Sequence, residues 1–102
     1  MADVVWSNAA IRNLEAIREY VARDSSDAAD RLIADIGTAV FRHAEFPLSG
    51  RRVPEVDDSD IREFIHGEYR IIYSVSRNCL HVITVLHGRR DPYLIFRALG
   101  LI

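Results

Sequence analysis

From Val82 to Tyr93 the chain reads VITVLHGRRDPY, an apolar β-branched run that ends in a histidine, two arginines, an aspartate and a tyrosine. On paper these residue types can cleave RNA. An imidazole that titrates near neutrality takes the proton of a 2′-hydroxyl, a phenol protonates the leaving oxygen, and guanidiniums stabilise phosphate charge. His87, Arg89 and Tyr93 are the candidates in this stretch, and Arg62 and Arg70 could join them from upstream. The same residues can equally do simpler work. Arg90 can pair with Asp91, Arg70 can pair with Glu63 or Glu68, and the whole group can grip a partner without reacting. The chain contains neither a glycine-rich phosphate loop nor a Ser-His-Asp signature. All 13 basic residues are arginine. With no lysine, no amine can shed its proton to act as a base, and guanidinium stays charged in proteins.

Metal chemistry has no support in the spacing. His81 and His87 share a strand face but lie roughly 20 Å apart along an extended chain, too far to share one ion. His43 and His66 add no ligand spacing, and the acid run 57–60 lacks the regular oxygen ligands that calcium needs. No motif asks for a cofactor. The net charge of −2 provides no global field for nucleic acid, although the charge is unevenly spread. Residues 61–102 carry six arginines against three acids, so the C-terminal part is locally basic. The single cysteine, Cys79, fits a reducing cytoplasm, no apolar run approaches a membrane span, and the N-terminus lacks a signal-peptide pattern. A cytoplasmic protein with no membrane contact is expected.

The elements that must position these residues follow from periodicity. Asp3–Trp6 reads as a strand. Ser7 then caps a helix over about 8–23, with Ala10, Leu14, Ile17 and Val21 on one face. Ser25 or Ser26 caps a second helix over about 27–44, with Ala29, Ile33, Ile36, Val40 and His43 aligned. Phe46-Pro47 stops it, and residues 47–60 form a loop. Strands at 61–65, 69–75 and 79–86 follow, the last two joined by a two-residue turn at Arg77-Asn78. The expected fold is a single α+β domain spanning 1–102, ordered β-α-α-β-β-β, with an antiparallel helical hairpin packed on an antiparallel sheet.

Alternation across the strands assigns faces. Counting back from the 77–78 turn pairs Val75 with Leu80, Tyr73 with Val82, Ile71 with Thr84 and Tyr69 with Leu86 on a packed face. It pairs Ser74 with His81, Ile72 with Ile83, Arg70 with Val85 and Glu68 with His87 on a second face, expected to be open. A three-residue loop, His66-Gly67-Glu68, would put Arg62 on that open face, and the cost of burying a charge under the helices favours it. The tail YLIFRALGLI (93–102) is apolar enough either to dock on the sheet or to await a partner.

In combination, VVWSNAAIRNLEAIREYVARDS, EFPLSGRRVPE, IREFIHGEYRIIYSV and VLHGRRD resemble the RelE/ParE toxin superfamily, in particular its ParE-like branch of plasmid-stabilisation proteins. The resemblance runs over almost the whole chain and implies the toxin of a type II toxin–antitoxin module. Such a toxin inhibits growth by poisoning DNA gyrase and is neutralised by a cognate ParD-like antitoxin. The antitoxin's C-terminal segment folds on the toxin and its N-terminal part contacts DNA. The RelE-like branch instead cuts mRNA on the ribosome. Against that branch's residue pattern, Arg62 and Arg70 match, Phe64 stands where a second basic residue is expected, and Arg89 and Tyr93 match loosely. The incomplete set favours gyrase inhibition over mRNA cleavage, and a degenerate toxin that serves only to bind its antitoxin is a third reading. The expected target- or antitoxin-binding face is Arg62, Tyr69, Arg70, His87, Arg89 and Arg90.

Overall fold

The computed structural model describes the whole chain, Met1–Ile102. Its elements are β1 (Asp3–Trp6), α1 (Asn8–Ala22), α2 (Ser26–His43), β2 (Arg51–Arg52), β3 (Ile61–His66), β4 (Tyr69–Ser76), β5 (Cys79–His87) and α3 (Pro92–Ala98). They form one five-stranded sheet in the order β1-β5-β4-β3-β2. The meander β3-β4-β5 is antiparallel, and β1 closes one edge by pairing in parallel with β5. The α+β architecture read from the sequence is the one observed.

Local chemistry starts and stops the elements. Ser7 Oγ accepts from the Ala10 N–H at 2.9 Å to cap α1, and donates to Ile83 O at 2.7 Å, which ties the start of the helix to β5. Ser25 Oγ caps α2 through the Ala28 N–H. Arg77 and Asn78 both take positive φ, 48° and 60°, the geometry of a tight turn matched to strand twist. The hairpin packs Ala10, Ile36 and Val40 on Ile71, Tyr73, Leu80, Val82 and Val85. Each large aliphatic side chain so buried contributes roughly 1.5–3 kcal/mol.

The second face of the sheet is not open. A second core of Val53, Val56, Ile61, Ile72, Leu86 and Phe96 covers it, formed where the 53–56 loop and α3 fold across the strands. Neither α3 nor the short β2 is among the elements expected from the sequence. Yet the signals for α3 are present. Asp91 caps it through the Tyr93 N–H at 3.0 Å, Pro92 takes its first position, and Gly100 ends it at φ 75°. The Leu101 N–H reaches Phe96 O and the Gly100 N–H reaches Arg97 O, closing the helix in a Schellman motif. The apolar tail therefore docks on the sheet.

Two register features revise the expected faces. The β3–β4 turn has two residues, Gly67 and Glu68, with His66 opposite Tyr69, and Gly67 supplies φ 57°. Arg70 therefore faces Ile65 and not Phe64, and Arg62 faces Tyr73 on the helix side. Arg62 escapes the burial cost by running to the sheet margin, where Nε donates to Ser59 O at 3.0 Å and Nη1 to Gly50 O at 3.3 Å. The charge that the fold buries completely is that of Glu63.

The β4–β5 ladder follows the expected register only as far as Tyr73 with Val82. A bulge at Ile83 then pairs Ile72 with Thr84, Ile71 with Val85, Arg70 with Leu86 and Tyr69 with His87. Asn13 of α1 supports the bulge, its Oδ1 accepting from Thr84 Oγ1 at 2.7 Å and from the Val85 N–H at 3.1 Å. Past the bulge the alternation is inverted. Val85 joins the core beneath the helices and Leu86 joins the second core.

Candidate functional site

The inversion at Ile83 aims His87 at the helix side of the sheet, beyond the packed part of α1. There it lines a cleft of about 620 Å³ with Ile17 and Tyr20 from α1, Tyr69 from β4, and Arg89 and Arg90 from the turn after β5. α1 forms one wall of the cleft and the ends of β4 and β5 form the other. Tyr20 is exposed at the rim.

His87 is held on three sides. The Tyr69 and His87 rings meet edge to face, with centroids 5.4 Å apart and planes at 82°. Nδ1 accepts from the Arg89 N–H at 3.0 Å. Nε2 lies 3.4 Å from Glu68 Oε2. In the neutral ring, Nδ1 is thus the bare nitrogen and Nε2 carries the proton. The one lone pair a base would use is taken by the backbone. Burial, reinforced by the charge of Glu68, holds the Tyr69 phenol above its ordinary value of 10.0, so it remains a neutral, aromatic wall. Arg89 and Arg90 are exposed, and no carboxylate lies within 4.0 Å of either guanidinium. They are charges with no partner in the fold, directed at a cleft with aromatic and aliphatic surfaces.

Arg70 does different work. It lies on the second face, its side chain 12% exposed, clamped between two glutamates. Nε donates to Glu63 Oε1 at 2.7 Å, while Nη1 and Nη2 reach Glu55 at 3.0 and 2.8 Å. Arg51 Nε adds a bond to Glu63 Oε2 at 2.9 Å, and the Arg70 guanidinium lies 5.6 Å from the Phe96 ring centre. The hydrogen bonds from Arg70 outweigh burial and lower the Glu55 carboxyl below its ordinary 4.5, and the same pairing raises Arg70. The pairing with Glu63 considered from sequence is realised. Glu68 instead faces His87, and Arg90 makes no pair with Asp91, which caps α3.

Of the six face residues read from the sequence, the structure gathers Tyr69, His87, Arg89 and Arg90 in one cleft, and places Arg62 and Arg70 elsewhere. Tyr93 stands exposed on the first turn of α3 and does not line the cleft. Asn13, Ile17 and Tyr20 are additions from α1. They fall on one helical stripe at i, i+4 and i+7, a signal that periodicity carries but that ordinary core packing also explains.

The fold is shared with a structure titled "Chromosomal ParDE TA system from P. aeruginosa", at a TM-score of 0.70 and 18% identity over 85% of this chain and 96% of that one. A family profile described as "ParE toxin of type II toxin-antitoxin system, parDE" matches residues 4–92, and the chain belongs to that family. It is 38% identical over 90 residues to the Y4kP protein of Sinorhizobium fredii, covering 84% of this chain and 88% of that protein. It is 34% identical over 91 residues to Toxin RelE2 of Caulobacter vibrioides, covering 88% and 99%.

Proposed function

We propose that this chain arrests growth by binding its target and not by cleaving RNA, with DNA gyrase as the target and a ParD-like antitoxin as its neutralising partner. The observation that carries the reading is the dispersal of the residues that an RNA-cleaving site would need. Arg70 is committed to Glu55 and Glu63, Arg62 to two carbonyls, and Tyr93 stands apart from the cleft. The His87 lone pair is engaged by the Arg89 amide. What the cleft offers is two unpaired guanidiniums, with the Glu68 carboxylate facing His87, over an aromatic and aliphatic wall, a surface for gripping an anionic, partly apolar segment. Family membership supports the toxin role, and the resemblance to the gyrase-poisoning branch supports the target.

Expression of the chain alone is the test, followed by assays of purified gyrase and of translated mRNA. Gyrase-dependent DNA breaks with intact mRNA are expected. Codon-positioned mRNA cuts that disappear in Arg89→Ala would overturn the binding mechanism in favour of ribosome-dependent cleavage. Absence of any growth effect would leave only antitoxin binding.

A further inference from the structure

The turn that presents Arg89 and Arg90 is held by His87 through a bond that only one form of its ring can make. His87 O accepts from the Arg90 N–H at 3.0 Å, so His87 is the first residue of a four-residue turn, 87–90. Its Nδ1 accepts from the Arg89 N–H at 3.0 Å. This i to i+2 bond is the one that Asn or Asp side chains make at the first position of such turns. The Gly88 N–H is anchored on Glu68 O at 2.7 Å, and the edge contact with Tyr69 fixes the ring plane.

We propose that His87 is the positioning residue of the cleft. Its neutral ring sets the Arg89–Arg90 turn, and protonation at Nδ1 releases that turn. A protonated ring puts a donor against the Arg89 donor, and the bond is lost whatever the surrounding charges favour. Those charges are Glu68 from the turn before β4, and Arg89 and Arg90 from the turn itself, while Arg70 of β4 borders the same edge from the other face with its charge held by Glu55 and Glu63. The phenols of Tyr69 on β4 and Tyr20 on α1 complete the surroundings. The hydrogen bond from the Arg89 amide is open only to a ring whose Nδ1 is bare, and it discriminates between the two forms.

Two substitutions separate the contacts of the ring. His87→Asn puts a carboxamide oxygen on Cγ, where Nδ1 is, and retains an acceptor for the Arg89 N–H while losing the reach to Glu68. His87→Gln reaches Glu68 and forfeits the acceptor. Hydrogen exchange of the Arg89 amide, followed by NMR at about pH 7.5 and about pH 5 and corrected for intrinsic rates, reads the difference. Protection of roughly 10-fold is expected for the wild type at the higher pH only, for His87→Asn at both, and for His87→Gln at neither. Ring 15N shifts should show a bare Nδ1 in the neutral wild type. A proton on Nδ1 in the neutral ring, or protection retained in His87→Gln, would overturn the proposal. Amide spectra away from the turn establish that each variant is folded. A second readout rests on the proposed function: growth arrest should survive in His87→Asn better than in His87→Gln. The exchange measurement is independent of toxicity, so a chain that arrests no growth counts against the proposed function and leaves the positioning role to be decided by NMR.

Discussion

At the scale of single residues, the separation of charge into two groups has the largest consequences. Arg70 and Arg89 look alike in the sequence, but one is a structural cation and the other is free. Arg70→Ala strands the fully buried Glu63 with only Arg51 and leaves Glu55 unpaired. It should cost about 3–5 kcal/mol, read as a lower urea midpoint. Arg89→Ala with Arg90→Ala should leave the unfolding free energy within about 0.5 kcal/mol of the wild type while abolishing growth arrest. A toxicity assay on an Arg70 variant therefore reports folding first, whereas the Arg89 and Arg90 variants report function. Glu55 adds a pH dependence of known sign. Its folded carboxyl lies below its ordinary 4.5 because Arg70 donates to it, so its contribution to stability is complete above 4.5 and is lost as pH falls through the depressed value. Denaturation midpoints measured below pH 4.5 should fall more steeply for the wild type than for Glu55→Gln.

At the scale of elements, two contacts fasten the irregular segments onto the sheet. The Tyr73 hydroxyl donates to Pro47 O at 2.6 Å and accepts from the Gly50 N–H at 3.0 Å, so the loop after α2 is pinned to the central strand. Tyr73→Phe leaves both backbone groups without that partner and should cost about 1–3 kcal/mol. The approach is close enough that a Cβ at Gly50 would crowd the Tyr73 hydroxyl and come within 2.7 Å of Glu63 O. Gly50→Ala should destabilise the same loop for a steric reason. The other fastening is Phe96, fully buried in the second core and facing the Arg70 guanidinium. Phe96→Ala should cost about 3–5 kcal/mol and uncover Ile72 and Leu86, which calorimetry and binding of a hydrophobic dye can follow together. Elements with a strong period were legible in the sequence: both hairpin helices, their serine caps, and three meander strands with the Arg77-Asn78 turn. Helix α3 was not, because its seven residues are too few to show a period. Its Asp-Pro start and glycine end were the signals available.

At the scale of the whole molecule, the sequence alone determined the fold class. Helical and strand periods, caps and turn residues are local, and they all point to a helical hairpin on a meander. It also determined the chemical inventory: arginine as the only basic side chain other than histidine, and a basic C-terminal part. Only the tertiary structure decided which residues meet. A strand's faces alternate strictly, so one extra residue at Ile83 moved His87 from the expected open face to the cleft beneath α1 and sent Leu86 the other way. One residue fewer in the β3–β4 turn moved Arg62 to the helix side. Bulges and turn lengths are set by contacts distant in sequence, such as Asn13 with Thr84 and Val85, or the burial of Glu63 against Arg70 and Arg51. A local pattern carries no record of those partners. The residue types were therefore readable from the chain, whereas their division into a cleft and a clamp came from long-range packing.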